Sequence, residues 1–235
     1  MNAKMNLLAL ALLGLAGYAG SAVAGCPSSP VPPWTAAPAL GGTVAIVAGG
    51  LDGSACRMES GLTGDLTSFA TVEDDTPTAE PRYRAAFMIN TDAVSTMSIV
   101  TGVFVFTATS AAGGNPPVSL SIVGDGAGHV FLSYNVVNGS GALVGSNQLA
   151  AGANHVEFDY DNGSAAGSPG PHFSLWINSN TEGSPTFTSP ITSTGVVDSA
   201  FLGLAGATVD YSGSFNGTPV QFDAFDSRRS SFIGF

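Results

Sequence analysis

Val130-Phe131-Leu132-Ser133-Tyr134-Asn135-Val136 alternates with a period of two. Val130, Leu132, Tyr134 and Val136 fall on one face of an extended chain, because successive side chains of a strand point to opposite sides. His172-Phe173-Ser174-Leu175-Trp176-Ile177 repeats the pattern, with Phe173, Leu175 and Ile177 together and Trp176 on the reverse side. Half-buried strands of two packed sheets produce this alternation.

Outward from these two runs, the chain cycles between short apolar segments and turn signals. The strands expected are 43–48, 55–59, 67–72, 82–90, 97–108, 118–123, 129–136, 154–160, 172–178, 199–205 and 218–225, rich in Val, Ile, Phe, Thr and Tyr. Between them lie Gly-Gly-Asn-Pro-Pro and the Asn-Gly pairs at Asn138, Asn162 and Asn216, which suit tight hairpin turns. Each of those Asn-Gly pairs also begins an Asn-Gly-Ser/Thr glycosylation pattern, which we read as turn chemistry. No window after Gly25 holds a helical period for more than about two turns. The expected fold is all-β, a two-sheet antiparallel jelly-roll sandwich over residues 43–235.

Composition narrows the function. Of 235 residues, 31 are Gly, 14 Pro and 2 Cys, and 10% are charged, against about 25% in an average protein. Coiled coils and charged disordered tails are thereby excluded, and 44% hydrophobic residues are too many for a disordered chain. Seventeen acidic residues face six Lys plus Arg, a formal net charge of −11. Such a chain repels phosphate backbones and anionic lipid surfaces, so nucleic acid is not an expected partner.

Residues 1–24 read as a signal peptide: Lys4, an apolar run from Leu7 to Leu15, and an A-x-A site at Ala22-Val23-Ala24. Glycines interrupt the run too early for a transmembrane span of about 20 residues. Cleavage after Ala24 leaves 235 − 24 = 211 residues, with five arginines and no lysine, and a net charge of 5 − 17 = −12. The expected location is extracellular or periplasmic. In that oxidising setting Cys26 and Cys56 are expected to form a disulfide. Val23-Ala24-Gly25-Cys26 also matches a lipobox, and lipidation of Cys26 in an outer-membrane lipoprotein is the alternative. Residues 25–42 carry Pro27, Pro30, Pro32, Pro33 and Pro38 and read as an extended leader or tether.

Four stretches carry a resemblance. Glu80-Pro81-Arg82-Tyr83-Arg84-Ala85-Ala86-Phe87, Asn154-His155-Val156-Glu157-Phe158-Asp159-Tyr160, Phe173-Ser174-Leu175-Trp176-Ile177-Asn178 and Phe222-Asp223-Ala224-Phe225-Asp226-Ser227-Arg228-Arg229 with Ile233-Gly234 occur in this order. Together they resemble the strands of bacterial laminin-G-like, concanavalin A-like domains, from about Leu51 to the end. The resemblance implies a two-sheet jelly roll and no single activity, since that fold hosts lectins, glucanases, adhesins and structural modules. Asn178-Ser179 stands where those domains often have Asp-Gly, and the strand before His155 lacks their Trp.

Candidate chemistry follows from a few residues. Glu157, Asp159 and Asp161 share one strand face, as do the carboxylates of concanavalin-like glucanases, in which two act as nucleophile and general acid. The plainer reading is a strand with a wet outer face. Glu73, Asp74 and Asp75, with Asp223 and further help from Asp198, Asp210 and Asp226, offer hard oxygen ligands for a structural calcium ion; the alternative is a solvated acidic loop. Trp176 is a candidate platform for a sugar ring, or else a buried packing residue. Arg228 and Arg229 with Asp226 read as a closing clamp, in which at least one arginine reaches a carboxylate of another strand. His129, His155 and His172 stand singly, without zinc spacing. Three functions compete: a non-enzymatic recognition or adhesion module for a glycan or an extracellular or envelope protein, a self-assembling surface component, and a glycoside hydrolase using Glu157, Asp159 and Asp161.

Overall fold

The computed structural model describes residues 25–63, 66–95, 102–207 and 217–235. The proposed signal peptide, Asp210, Asn216 and the first part of the strand expected at 97–108 lie outside them. Among the described residues fourteen strands run β1 (Ala39–Leu40), β2 (Gly42–Ala48), β3 (Cys56–Leu62), β4 (Phe69–Asp74), β5 (Arg82–Asn90), β6 (Gly102–Thr109), β7 (Val118–Gly124), β8 (Val130–Asn138), β9 (Gly141–Gln148), β10 (Ala153–Asp161), β11 (His172–Ile177), β12 (Phe187–Pro190), β13 (Ser199–Ala205) and β14 (Val220–Arg228). They form two seven-stranded sheets, ordered β1-β4-β13-β6-β7-β8-β9 and β12-β11-β10-β5-β14-β3-β2. Every pairing is antiparallel, as expected for the jelly-roll sandwich.

The period-two runs build the core. Tyr134 from one sheet meets Phe173 from the other at 5.4 Å, the Phe106 ring stands edge-on to Phe158 at 5.0 Å, and Leu132 is buried in the same core. Each such buried aromatic contributes about 2–3 kcal/mol through removal of apolar surface from water. β10 departs from the expected pattern, because Asn154 to Asp161 are buried on both faces. Val156, Phe158 and Tyr160 enter the core, and the alternate residues are roofed by other parts of the chain.

Three strands had no counterpart in the sequence reading, the two-residue β1 among them. β9, Gly-Ala-Leu-Val-Gly-Ser-Asn-Gln, carries one β-branched residue, and β12 has four residues ending in Pro190. The β8–β9 turn is also one residue later than an Asn-Gly turn would be. Asn138 pairs with Gly141 as strand residues, and Gly139 takes the positive φ of 61°.

The leader is tied down at both ends. Cys26 is disulfide-bonded to Cys56 on β3. Thr35 N–H donates to Glu73 O, and Glu73 N–H donates to Ala36 O, at 2.8 and 2.9 Å. The segment therefore crosses from β3 of one sheet to β4 of the other, lying against the sandwich rather than trailing from it. The disulfide uses the very sulfur on which lipidation of Cys26 depends. Among the described residues, no helix is long and apolar enough to cross a membrane.

Candidate functional site

The face of β10 opposite the core holds the three carboxylates. Register sets Glu157, Asp159 and Asp161 against Ala86, Arg84 and Arg82 of β5, and against Trp176, Ser174 and His172 of β11. All three are fully buried, so the wet outer face expected for this strand is corrected. Buried carboxylates persist only when paired. Arg82 grips Asp159 through Nε (3.1 Å) and Nη2 (2.6 Å), and Arg84 Nη2 reaches the same carboxylate at 2.9 Å. His172 Nε2 lies 3.3 Å from it. Asp161 accepts Gly163 N–H at 2.7 Å and lies 3.5 Å from Arg82 Nε.

The roof over this face is the C-terminal segment. Ile233 N–H and Gly234 N–H donate to the two oxygens of Glu157, and the Phe235 ring lies 4.6 Å from His155. Phe232 packs edge-on against Trp176 at 5.5 Å. Arg84 stacks on Trp176 and Phe232, and Trp176 Nε1–H donates to Glu182 O. Trp176 is thus covered and offers no open platform for a sugar ring; at 3% exposure it is a packing residue.

This electrostatics does not suit glycoside hydrolysis. Burial is the largest single influence on Asp159 and pushes its carboxyl up. His172, Arg82 and Arg84 together outweigh it and hold the pKa at about 2. A general acid needs the opposite shift. Glu157 is capped by backbone donors on both oxygens, where a nucleophile would have to meet substrate.

The remaining predicted residues go to separate partners. Asp74 accepts Thr76 N–H and Oγ1–H, Asp75 accepts Thr35 Oγ1–H, and Glu73 lies in the β4 ladder. Asp223 accepts Leu51 N–H and Ser54 Oγ–H at 2.8 and 2.7 Å, and Asp198 accepts Ala79 N–H and Ala111 N–H. Among the described residues no three acidic, His or Cys side chains converge as a cation site. Arg228 pairs with Asp226 on its own strand, and Arg229 pairs with Glu80 at 2.9 Å while stacking on Tyr83.

A second region, absent from the sequence reading, is an open cavity of about 570 Å³ between the leader and β14. Trp34, Phe225, Ile46 and Met58 form its apolar wall, and Asp74, Arg57 and Asp226 stand at it. The Trp34 and Phe225 rings are 4.6 Å apart. A bulge in β14 between Asp223 and Asp226 positions Phe225, with Ala224 at φ 49° and its N–H held by Asp223 Oδ1. Gly50 is required beside it: an added Cβ would lie 2.6 Å from Asp223 Oδ2 and 1.8 Å from Ser54 Oγ. Arg57 is engaged by Glu59 and by the carbonyls of Ala48 and Gly49. Asp226 directs Oδ2 to Arg228, and Asp74 directs Oδ1 to Thr76, which leaves each with a second carboxylate oxygen outside those bonds. An aromatic wall beside carboxylate acceptors suits a ligand with apolar C–H faces and hydroxyl donors. In the sequence, Trp34 stands among the prolines of the leader.

No protein-family model matches the chain, and no curated protein matches it. Solved structures share the fold, two of them as follows. A cellulose-induced protein, Cip1, superposes with a TM-score of 0.56 at 14% identity, over 83% of this chain and 89% of that one. The receptor-binding domain of botulinum neurotoxin mosaic serotype C/D gives 0.52 at 7% identity, over 84% of this chain and 43% of that one. These likenesses establish the two-sheet antiparallel β-sandwich, and at such identities they establish the fold alone.

Proposed function

We propose that this protein is an exported, non-enzymatic recognition module that binds a saccharide in the cavity beneath the leader. The observation that carries this reading is the Trp34–Phe225 wall with Asp74 and Asp226 beside it. Sugar C–H faces lie against aromatic rings, and sugar hydroxyls donate to carboxylate oxygens. A receptor-binding domain among the structures sharing the sandwich fits a recognition role without naming the ligand. The disulfide fits an oxidising compartment outside the cytoplasm.

The test is a glycan array followed by calorimetric titration of its best ligand against the parent chain and Trp34→Ala. Saturable binding that falls at least tenfold in Trp34→Ala, with near-UV circular dichroism otherwise retained, is the expected result. Binding unchanged in that variant would place the ligand elsewhere, and no binding to any glycan would remove the reading.

A further inference from the structure

Among the described residues the two sheets have four edges, and two of them are short. β1 has two residues, β12 has four and ends in Pro190, and β2 has seven, with its last carbonyl, Ala48 O, and the following Gly49 O accepting from Arg57. β9 is different. Its eight residues pair with β8 without a break and carry no charge, no proline and no bulge. Natural edge strands are normally protected by one of these devices, because a free row of N–H and C=O groups templates pairing with another chain.

The free groups on β9 can be assigned. Leu149 N–H donates to Val130 O, and these two residues continue the β8–β9 register. By antiparallel alternation, odd-numbered residues of β9 bond to β8, and Ala142, Val144, Ser146 and Gln148 direct their N–H and C=O outward. Those four are also the exposed residues of the strand from Ala142 onward, with Val144 65% exposed.

Charge selects the occupant. The chain has a formal net charge of −11, yet from Ala93 to Val156, 156 − 92 = 64 residues, the only Asp, Glu, Lys or Arg is Asp125. This stretch supplies β6, β7, β8 and β9, the whole flank of the sheet leading to the open edge. It is the side on which two copies of an acidic chain approach with least like-charge repulsion, and it offers nothing ionic to a charged foreign peptide.

We propose that the protein pairs with a second copy of itself through β9, antiparallel about a two-fold axis at Gly145. In this register Val144 lies opposite Ser146 and Ala142 opposite Gln148, each twice. All the outward groups are then used in about eight backbone hydrogen bonds, and the two seven-stranded sheets become one. A two-fold, self-complementary contact closes and stops at the dimer.

Sedimentation equilibrium of the disulfide-bonded protein over a concentration series, at low and high salt, tests this. A monomer–dimer equilibrium that shifts toward dimer as salt screens the net charge is expected. Val144→Pro deletes an N–H that β8 does not use, and should give a monomer with an unchanged unfolding midpoint. If circular dichroism shows that this variant fails to fold, Val144→Glu with Ser146→Glu sets carboxylates opposite one another and should also give a monomer. A parent chain that is monomeric throughout, or a dimer that survives in a folded variant, overturns the proposal.

Discussion

Both carboxylate oxygens of Glu157 are capped by consecutive backbone donors, Ile233 N–H at 3.0 Å and Gly234 N–H at 2.9 Å. The contact joins β10 to a segment 76 residues later, and it explains why an acidic side chain at 0% exposure is retained. Glu157→Gln preserves the shape but replaces one acceptor with an NH₂ facing an N–H. The orphaned donor should cost about 2 kcal/mol, or a midpoint lower by about 4–8 °C for a chain of this size. Glu182→Gln is the control, since Glu182 pairs with Arg84 from a side chain 59% exposed and exposed pairs contribute about 1 kcal/mol or less. Equal midpoints for the two variants would refute the assignment.

Asp159 and His172 should shape the pH dependence of stability in opposite directions. The Asp159 carboxyl is held at about 2 when folded, below its ordinary value of about 3.9. Its contribution is therefore present above that ordinary value and lost as pH falls through 2. His172 is raised, first by its hydrogen bond to Asp159 against the opposing effect of burial, with Gly170 O and the charge of Asp161 adding to the rise. Its contribution is complete below the unfolded value of about 6.5 and is lost as pH climbs through the folded value. His155 is buried and lowered, and weighs the other way. The comparison must therefore be with His172→Gln: the difference in unfolding free energy between parent and variant should shrink as pH rises from 5 to 9. A difference that stays constant would mean that His172 carries no charge in this contact.

The shared face of Glu157, Asp159 and Asp161 was legible because alternation is a local property of the strand. Their burial was not, because the roof comes from Phe232 to Phe235 and from two arginines of β5, and no local pattern announces a cover supplied from elsewhere in the chain. Three of the four stretches singled out in the sequence turn out to meet one another: Glu80 with Arg229, Arg82 and Arg84 with Asp159, and Glu157 with Ile233 and Gly234. They weld the outer face of one sheet. The cavity at Trp34 escaped the sequence reading because it exists only when the leader folds back. β9 escaped because Gly, Ser and Asn make a poor strand signal when the neighbouring strand supplies the order.

Gly203 marks a place where backbone geometry dictates the residue. It sits at φ 126° in the irregular stretch of β13, and an added Cβ would lie 2.4 Å from Ala70 O. Neither the conformation nor the carbonyl can yield cheaply, so Gly203→Ala should cost about 3 kcal/mol. Gly53 has φ 90° with open space around it, and Gly53→Ala should cost only about 1 kcal/mol, the backbone part alone. Urea titration of the two variants separates steric clash from conformational strain, and equal losses would refute the close approach at Ala70.

The disulfide should control the cavity as well as stability. The bond joins residues 30 apart, and closing such a loop restricts the unfolded chain by about 3.5 kcal/mol. Replacing both cysteines, Cys26→Ser with Cys56→Ser, should lower stability by that order. The leader would still be held at Thr35 and Ala36 by β4, so the sandwich itself should persist. Pro27, next to Cys26, and Trp34 both line the cavity, and freeing one end of the segment between them should loosen the Trp34–Phe225 contact. Trp176 stays buried beneath Phe232 in either case, so a red shift of the tryptophan emission would report Trp34. The double variant should therefore be folded, red-shifted and weakened in saccharide binding. Unshifted emission with full binding would show that the apolar packing of Trp34 holds the leader without the bond.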